Sequence, residues 1–495
     1  MSSQTECDPD AAGVGAAHPP APADIAQVDQ PATVVPRRAA LALTAVLATQ
    51  LMLQLDAQVV TVALPQVQQE LGFSAAGLSW VPNAYALAFG GLMLLGGRLG
   101  DVVGRVRAFE TGTALFALAS LAAGLAQDPT TMIIARVAQG IGAALAAPSI
   151  LALVTAMARD EVARRHGLAM FTAASAVGSS FGLILGGFLT AFTSWRWGLL
   201  INVPIGIVVV LVVHRLVQET ARSRGSIDVA GAATATTGSL ALVYGFIHAA
   251  EAGWSSVWTI VSFALAIVLL VSFVFVEQRV RQPLLDLSLL EHRGRAASLV
   301  VMGLIVGVHF AMLFLLVQYF QRVLGMGALV AGLAFLPLTF SILGLTQFVP
   351  AFIRKVGSGK LLTLGSLLVA VSFVLFATLD TSSTYFGGVF LALLLHSIGV
   401  ALVFTPGTVM IMDGVATDKT GSMSGFLQMV QQVGGSLGIA VIVAVYVGGS
   451  VPGEFVPGLA PAFSVAAAIA ALAALVALTT VTIGRRRPVD TPTAA

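Results

Sequence analysis

Apolar residues in this chain come in long runs, separated by short stretches that carry charge and glycine. A helix needs about 20 mostly apolar residues to cross the hydrocarbon core of a bilayer. Fourteen such runs can be read, at about 39–64, 76–97, 106–126, 130–156, 167–192, 196–216, 229–250, 255–276, 296–320, 328–350, 359–379, 384–411, 424–448 and 459–483. The pattern predicts an all-α polytopic membrane protein. Several runs are rich in Gly and Ala, as expected where membrane helices approach closely.

Composition agrees and excludes the soluble classes. Hydrophobic residues make up 57%, charged residues 10%, and mean hydropathy is +0.94. So few charges could not cover the surface of a soluble protein of this length. The single cysteine, Cys7, excludes an internal disulfide. Residues 1–36 are rich in Ala and Pro and carry Glu6, Asp8, Asp10, Asp24 and Asp29. They lack the basic and apolar regions of a signal peptide and read as a disordered cytoplasmic tail, as do residues 485–495.

Charge placement orients the runs. Arg196 and Arg322 lie on the side opposite the termini and Arg136 lies inside a run, whereas the other 22 of the 25 Lys and Arg lie on the side of the termini. The positive-inside rule makes that side cytoplasmic. The chain therefore reads as a multi-pass protein of the cell membrane with both termini in the cytoplasm.

A faint internal repeat organises the spans. Val177–Ile184 resembles Val433–Ala440, 256 positions later, and the stretch Gly97–Arg107 aligns loosely with Ile353–Lys360 at an offset of 253, which sets Gly357 against Gly104. These offsets fit an N-terminal six-helix bundle at 37–217 and a C-terminal one at 281–484. An extra helix pair, 218–280, is inserted between them.

The second and third runs are joined by Gly97-Arg98-Leu99-Gly100-Asp101-Val102-Val103-Gly104-Arg105-Val106-Arg107. Its glycines allow close turning, and its arginines favour the cytoplasmic surface. It resembles the signature loop of the major facilitator superfamily. Further motifs resemble the fourteen-helix drug:proton antiporters of that superfamily: Leu55–Pro65 in the first run, Arg136–Gly142 in the fourth, Gly178–Gly187 in the fifth, then Trp195-Arg196-Trp197 and Asn202–Gly206. The resemblance covers about residues 38–483 and implies a major facilitator fold. It also implies proton-coupled export of small amphipathic compounds such as drugs or antibiotics, by alternating access.

Asp56 is the candidate proton carrier, because a carboxylate inside a bilayer is costly to keep charged. It lies about 12 Å below the outer end of its run, and Arg136 lies about 10 Å below the outer end of the fourth, so the two can face one another. A proton, Arg136 and a cationic substrate would then compete for one carboxylate. Arg136, Gln139 and Gly140 share one helix face at i, i+3 and i+4.

Gly178, Gly182 and Gly186 form a small-residue stripe with Gly187 beside it. Relatives usually place proline after the second glycine, but this chain has Leu183, which argues against a fixed kink. In the signature loop, Gly97, Gly100, Asp101, Gly104 and Arg105 are read as a gate latch: Asp101 would counter the positive end of a helix from the other half. The second-half counterpart has Arg354 at the position of Asp101, which confines the latch to the first half. Polar or aromatic residues at mid-depth are candidates for a substrate cavity: Gln54, Gln58, Asn83, Tyr85, Gln318, Gln347, Gln428 and Gln432. His309 and His396 join them as groups able to bind substrate or a proton.

No phosphate-binding Gly-x-x-x-x-Gly-Lys-Ser/Thr loop and no metal-spaced His/Cys cluster is present, so no cofactor, metal or enzymatic activity is expected. The expected partners are a small-molecule substrate, protons and the lipid bilayer, without nucleic acid, and one chain suffices as the working unit. Two other readings fit the same features: a dedicated exporter of one endogenous metabolite, and a membrane sensor that transports nothing. Buried charge at Asp56 and Arg136 counts against the sensor.

Overall fold

In lipid, a spanning segment must satisfy its own backbone hydrogen bonds, and a run of apolar residues does so as a helix. The computed structural model describes residues 37–158, 160–219, 228–280, 290–415, 420–451 and 454–484. The tails expected to be disordered, 1–36 and 485–495, lie outside these residues. Each of the fourteen apolar runs is a helix. They are α1 (Arg37–Leu71), α2 (Trp80–Val103), α3 (Arg105–Gly124), α4 (Pro129–Ala156), α5 (Glu161–Phe192), α6 (Trp195–Leu216) and α7 (Val229–Ala252). There follow α8 (Val257–Arg279), α9 (Arg293–Arg322), α10 (Ala328–Val356), α11 (Ser358–Phe376), α12 (Tyr385–Met412), α13 (Thr420–Gly448) and α14 (Leu459–Gly484).

Thirteen of these are long and apolar enough to cross a membrane on composition alone; α3 is the exception. Arg105, Arg107 and Glu110 occupy its first two turns and dilute an otherwise apolar helix. Packing against α4 and α6 holds it among the others.

Two helices are broken at positions that proline explains. Pro204 lacks the N–H that would bond the Leu200 carbonyl, and α6 is interrupted at Ile201. Pro337 does the same to Leu333, and α10 is interrupted at Ala334 and Phe335.

The helix pairing repeats. In the first half α1 packs on α5 and α6, α2 on α4, and α3 on α4 and α6; in the second, α9 packs on α13 and α14, α10 on α12, and α11 on α12 and α14. Equivalent glycines mark equivalent crossings. A Cβ on Gly142 would meet the Gly112 carbonyl oxygen at 2.7 Å, and one on Gly399 would meet that of Gly365 at 2.7 Å. Gly104 (φ +119°) and Gly357 (φ +91°) are the one-residue turns that link the second and third helices of each half.

The halves meet where α2 packs on α13 and α5 on α10. Contact of α5 with α10 is concentrated in the first segment of α10, residues 328–333. At that end Gly187 lies against the Ala328 backbone and Gly332 against the Leu183 backbone, and Gln321 Nε2 donates to the Val62 carbonyl (2.9 Å). Arg322 and Gln68 join their side chains there too. Toward the other end, where Arg37 of α1 and Gly484 of α14 lie, α5 and α10 separate and present exposed residues such as Val177, Phe340 and Phe348. The bundle is closed at one end and parted along α5 and α10 at the other. Helix α7 packs on α2 and α13, and α8 is carried chiefly by α7, with an exposed apolar outer face.

Candidate functional site

Asp56 and Arg136 face each other across the α1–α4 contact and are sealed from solvent, at 0% and 1% exposure. Arg136 Nη1 donates to Asp56 Oδ2 at 2.5 Å and to Gln139 Oε1 at 2.8 Å, and its Nε donates to the Val81 carbonyl of α2 at 3.1 Å. The other carboxylate oxygen, Oδ1, accepts from Gln139 Nε2 (3.1 Å) and from Asn202 Nδ2 (2.9 Å). Ser120 of α3 closes the ring: its Oγ accepts from Gln139 Nε2 (2.7 Å) and donates to the Phe116 carbonyl (2.8 Å). The guanidinium also stacks on Tyr85, with Cζ 4.5 Å from the ring centre. Five helices thus contribute to one dry polar cluster. Every neighbour of the carboxylate points a donor at it, the arrangement a charged carboxylate requires.

Local sequence explains each contribution. The i, i+3, i+4 face of α4 directs Arg136 and Gln139 at α1, and Gly140 lets α2 approach, since a Cβ there would lie 2.5 Å from the Tyr85 carbonyl oxygen. The break that Pro204 imposes on α6 frees Asn202 to turn its amide toward Asp56. Asn202 stood in a recognised motif, but sequence alone assigned no contact to it. Nothing in the sequence signalled Ser120.

The signature stretch differs from its expected form. Gly97 to Val103 are the last turns of α2, and the turn itself is Gly104 alone. Gly96 and Gly100 serve packing: Gly96 lies against the Ala144 backbone, and a Cβ on Gly100 would sit 3.3 Å from Ser149 Oγ. Arg and Leu favour helix, so the helix continues through them until a residue of positive φ is reached. Asp101 pairs with Arg105 across that turn (2.5 Å), where a helix of the other half was expected as its partner. Glu219, just past α6, caps α3 by accepting from Val106 N (2.9 Å) and Arg107 N (3.2 Å), a role sequence reading missed.

The glycine stripe packs α5 on α1. Gly178, Gly182 and Gly186 lie against Gln54, Gln58 and Val59, whereas Gly187 faces α10. Of the proposed cavity residues, Gln347 and Gln428 are exposed, and Gln54, Gln58, His309 and Gln432 are half-buried. The remaining four are enclosed by helix packing: Asn83 (0%), Tyr85 (5%), Gln318 (5%) and His396 (0%). Tyr85 supports Arg136, and Gln318 Nε2 bonds the Phe314 carbonyl of its own helix (3.1 Å). Mid-depth position set these residues apart in the sequence, but helix rotation turned them into the bundle.

A family model described as Major Facilitator Superfamily matches residues 46–439. The chain belongs to the major facilitator superfamily. It is 39% identical over 414 residues to the MFS-type transporter EfpA of Mycobacterium tuberculosis, covering 81% of this chain and 77% of that one. It is 35% identical over 427 residues to a puromycin resistance protein of Streptomyces alboniger (86% and 85%) and 38% identical over 396 residues to a cephamycin export protein of Amycolatopsis lactamdurans (79% and 81%). Among solved structures, a peptide transporter of the POT type in complex with sulfate superposes with a TM-score of 0.67 at 16% identity, covering 90% of this chain and 95% of that one. That likeness shows the fold. The chain is therefore a multi-pass membrane protein of a family that carries small-molecule substrates.

Proposed function

We propose that this protein exports small amphipathic organic compounds, antibiotics among them, across the cell membrane in exchange for protons. The relatives named for puromycin resistance and cephamycin export support the direction and the substrate class. The observation that carries proton coupling is the enclosure of Asp56. A carboxylate with donors on both oxygens and no exposed surface holds its charge only while Arg136, Gln139 and Asn202 stay in place. Protonation removes that charge, leaves Arg136 uncompensated, and favours a rearrangement of α1, α4 and α6 around it.

In this reading the termini are cytoplasmic, so the closed end is external and the parted end opens inward. The two six-helix groups, 37–217 and 281–484, are the moving halves, and 218–280 is an insert at their edge. Because Asp56 is sealed in this state, the substrate does not touch it here. Competition between substrate and proton then acts through the conformation of α1 and α4, in place of a shared carboxylate. The Asp101–Arg105 pair stiffens the inner turn beside Gly104, and the latch expected of it belongs to the inward-closed state.

The test is a resistance panel in a drug-hypersensitive host. The wild type should raise tolerance to a set of amphipathic compounds, a protonophore should abolish the gain, and Asp56→Asn should lose it while still reaching the membrane. Full resistance from Asp56→Asn would overturn proton coupling at this site.

A further inference from the structure

Helix pairing that builds the Asp56 cluster recurs in the second half, and the polar centre at the equivalent place is a pair of histidines. His309 follows Asp56 by 253 positions, the offset that relates Gly357 to Gly104 and Gly365 to Gly112. His396 follows Gln139 by 257, the offset that relates Gly399 to Gly142. His309 Nδ1 and His396 Nε2 are 3.0 Å apart, with the rings nearly parallel (12°) and their centres separated by 5.2 Å. Ser372 of α11 stands 3.3 Å from His396 Nδ1, as Ser120 of α3 stands beside Gln139.

Hydrogen bonding fixes the protons along this chain of groups. Ser372 Oγ donates to the Val369 carbonyl at 2.6 Å, so toward His396 it can only accept. His396 then carries its proton on Nδ1 and offers Nε2 as an acceptor, and His309 donates from Nδ1 to it. Both Nε2 atoms are then unprotonated; that of His396 accepts from His309, which leaves His309 Nε2 as the ring nitrogen free to take up a proton. His396 is fully buried among Phe373, Phe376 and Ser372, whereas His309 keeps part of its surface exposed.

We propose that His309 and His396 form a second proton-binding site, located in the C-terminal half and loaded at His309 Nε2. One added proton makes His309 an imidazolium whose Nδ1–H is shared with His396. A second would place two cations 3.0 Å apart, so the pair binds one proton and not two. Among the described residues no carboxylate intervenes. The ionisable residues of the elements packed around the pair lie toward the helix ends: Arg293, Arg295, Arg354, Lys355, Lys360 and Asp413 at one, and Tyr319, Arg322, Asp380, Tyr385, Tyr446 and Glu454 at the other. Helix α1, which also touches α9, carries Arg37, Arg38 and Glu70 at its ends and, at depth, Asp56, itself committed to Arg136. The second half thus places a group that gains positive charge on protonation where the first half places one that loses negative charge. The site rests on the proton-coupled reading, and it adds a proton-binding position to the one at Asp56.

The site can be tested without a substrate, by nitrogen-15 NMR of the full chain, labelled on its seven histidines, in lipid nanodiscs. Between about pH 4 and 8 two imidazoles should titrate as a coupled pair taking up one proton in total. His309→Gln should remove that step and leave the remaining His396 signal without a titration. Two rings that stay neutral throughout, or that titrate independently, would overturn the proposal, and the wild-type measurement decides this even if the variant fails to fold. The same panel that tests Asp56→Asn separates the two ideas. Loss of export in Asp56→Asn with silent histidines defeats only the second site. A coupled titration with Asp56→Asn fully active defeats only the assignment of Asp56.

Discussion

Arg136 donates to Asp56 across 80 positions of sequence, and neither side chain has any appreciable surface in contact with solvent. A buried pair of this kind is a poor device for stability, because desolvation offsets most of the attraction. Breaking it from one side is costly, since the survivor is left charged and dry. That asymmetry suits a switch operated by a proton.

Arg136→Leu should therefore destabilise the protein by about 3–5 kcal/mol, and Arg136→Lys by less. Lysine keeps the charge but cannot serve Asp56, Gln139 and the Val81 carbonyl together. Thermal unfolding in detergent measures both. Equal stability of the leucine variant and the wild type would contradict the buried-charge account.

Asn202→Leu removes one of two donors to Asp56 Oδ1 while keeping side-chain size close. Hydrogen bonds to charged groups contribute about 1.5–3 kcal/mol, so a loss of that order is expected in melting experiments, with reduced export. The double variant with Asp56→Asn should lose less than the sum of the two single changes, because both act on one contact.

Glycines at crossings and glycines in open space should behave oppositely. Gly142→Val places a side chain where the Gly112 carbonyl and the Phe116 amide are only 2.7 Å from Cβ, and overpacking of this kind costs about 1–3 kcal/mol. Gly344→Ala meets nothing within 4 Å and lies inside α10, where alanine favours helix over glycine, so it should stabilise by up to about 0.5–1 kcal/mol. Melting temperatures of the pair provide the comparison.

Closure at the outer end depends on Gly187, where a Cβ would lie 2.6 Å from the Ala328 carbonyl oxygen. Gly187→Val should disfavour the closed end and shift the population toward states open there. Thiol labelling of a cysteine introduced at Gln68 should then be faster than in the same cysteine background with Gly187. Unchanged labelling would show that the contact does not gate.

Asp128 caps α4, accepting from the Thr131 side chain (2.6 Å) and backbone (2.9 Å), and these bonds hold its carboxyl below the usual value of 3.8. A depressed folded-state value means the contribution is present above 3.8 and is lost as pH falls through the lower folded value. Asp128→Ala should lower the melting temperature at neutral pH, and the difference from wild type should shrink as acid protonates the native carboxylate.

Much of this molecule was legible along the chain. Run length marked the fourteen helices, including α3, whose charges keep it below the composition of an ordinary span. The i, i+3, i+4 spacing aimed Arg136 and Gln139 the same way, and counting residues put Arg136 level with Asp56. These are properties of single helices, set by 1.5 Å of rise and 100° of turn per residue. The signature stretch shows the boundary of such reading. Its glycines suggested a loop, yet Gly97 and Gly100 lie within α2, because a glycine that permits close packing looks the same in sequence as one that permits a turn.

What the sequence by itself determined was the solvent, the number and order of the helices, and the approximate depth of each polar residue within them. Only the tertiary structure decided rotation and partnership. It brought Asn202 and Ser120 to Asp56, turned Tyr85 inward beneath Arg136, and set His309 against His396. The reason is physical: a helix's periodicity reports which residues share a face, but which face meets which neighbour depends on the packing of all the helices at once.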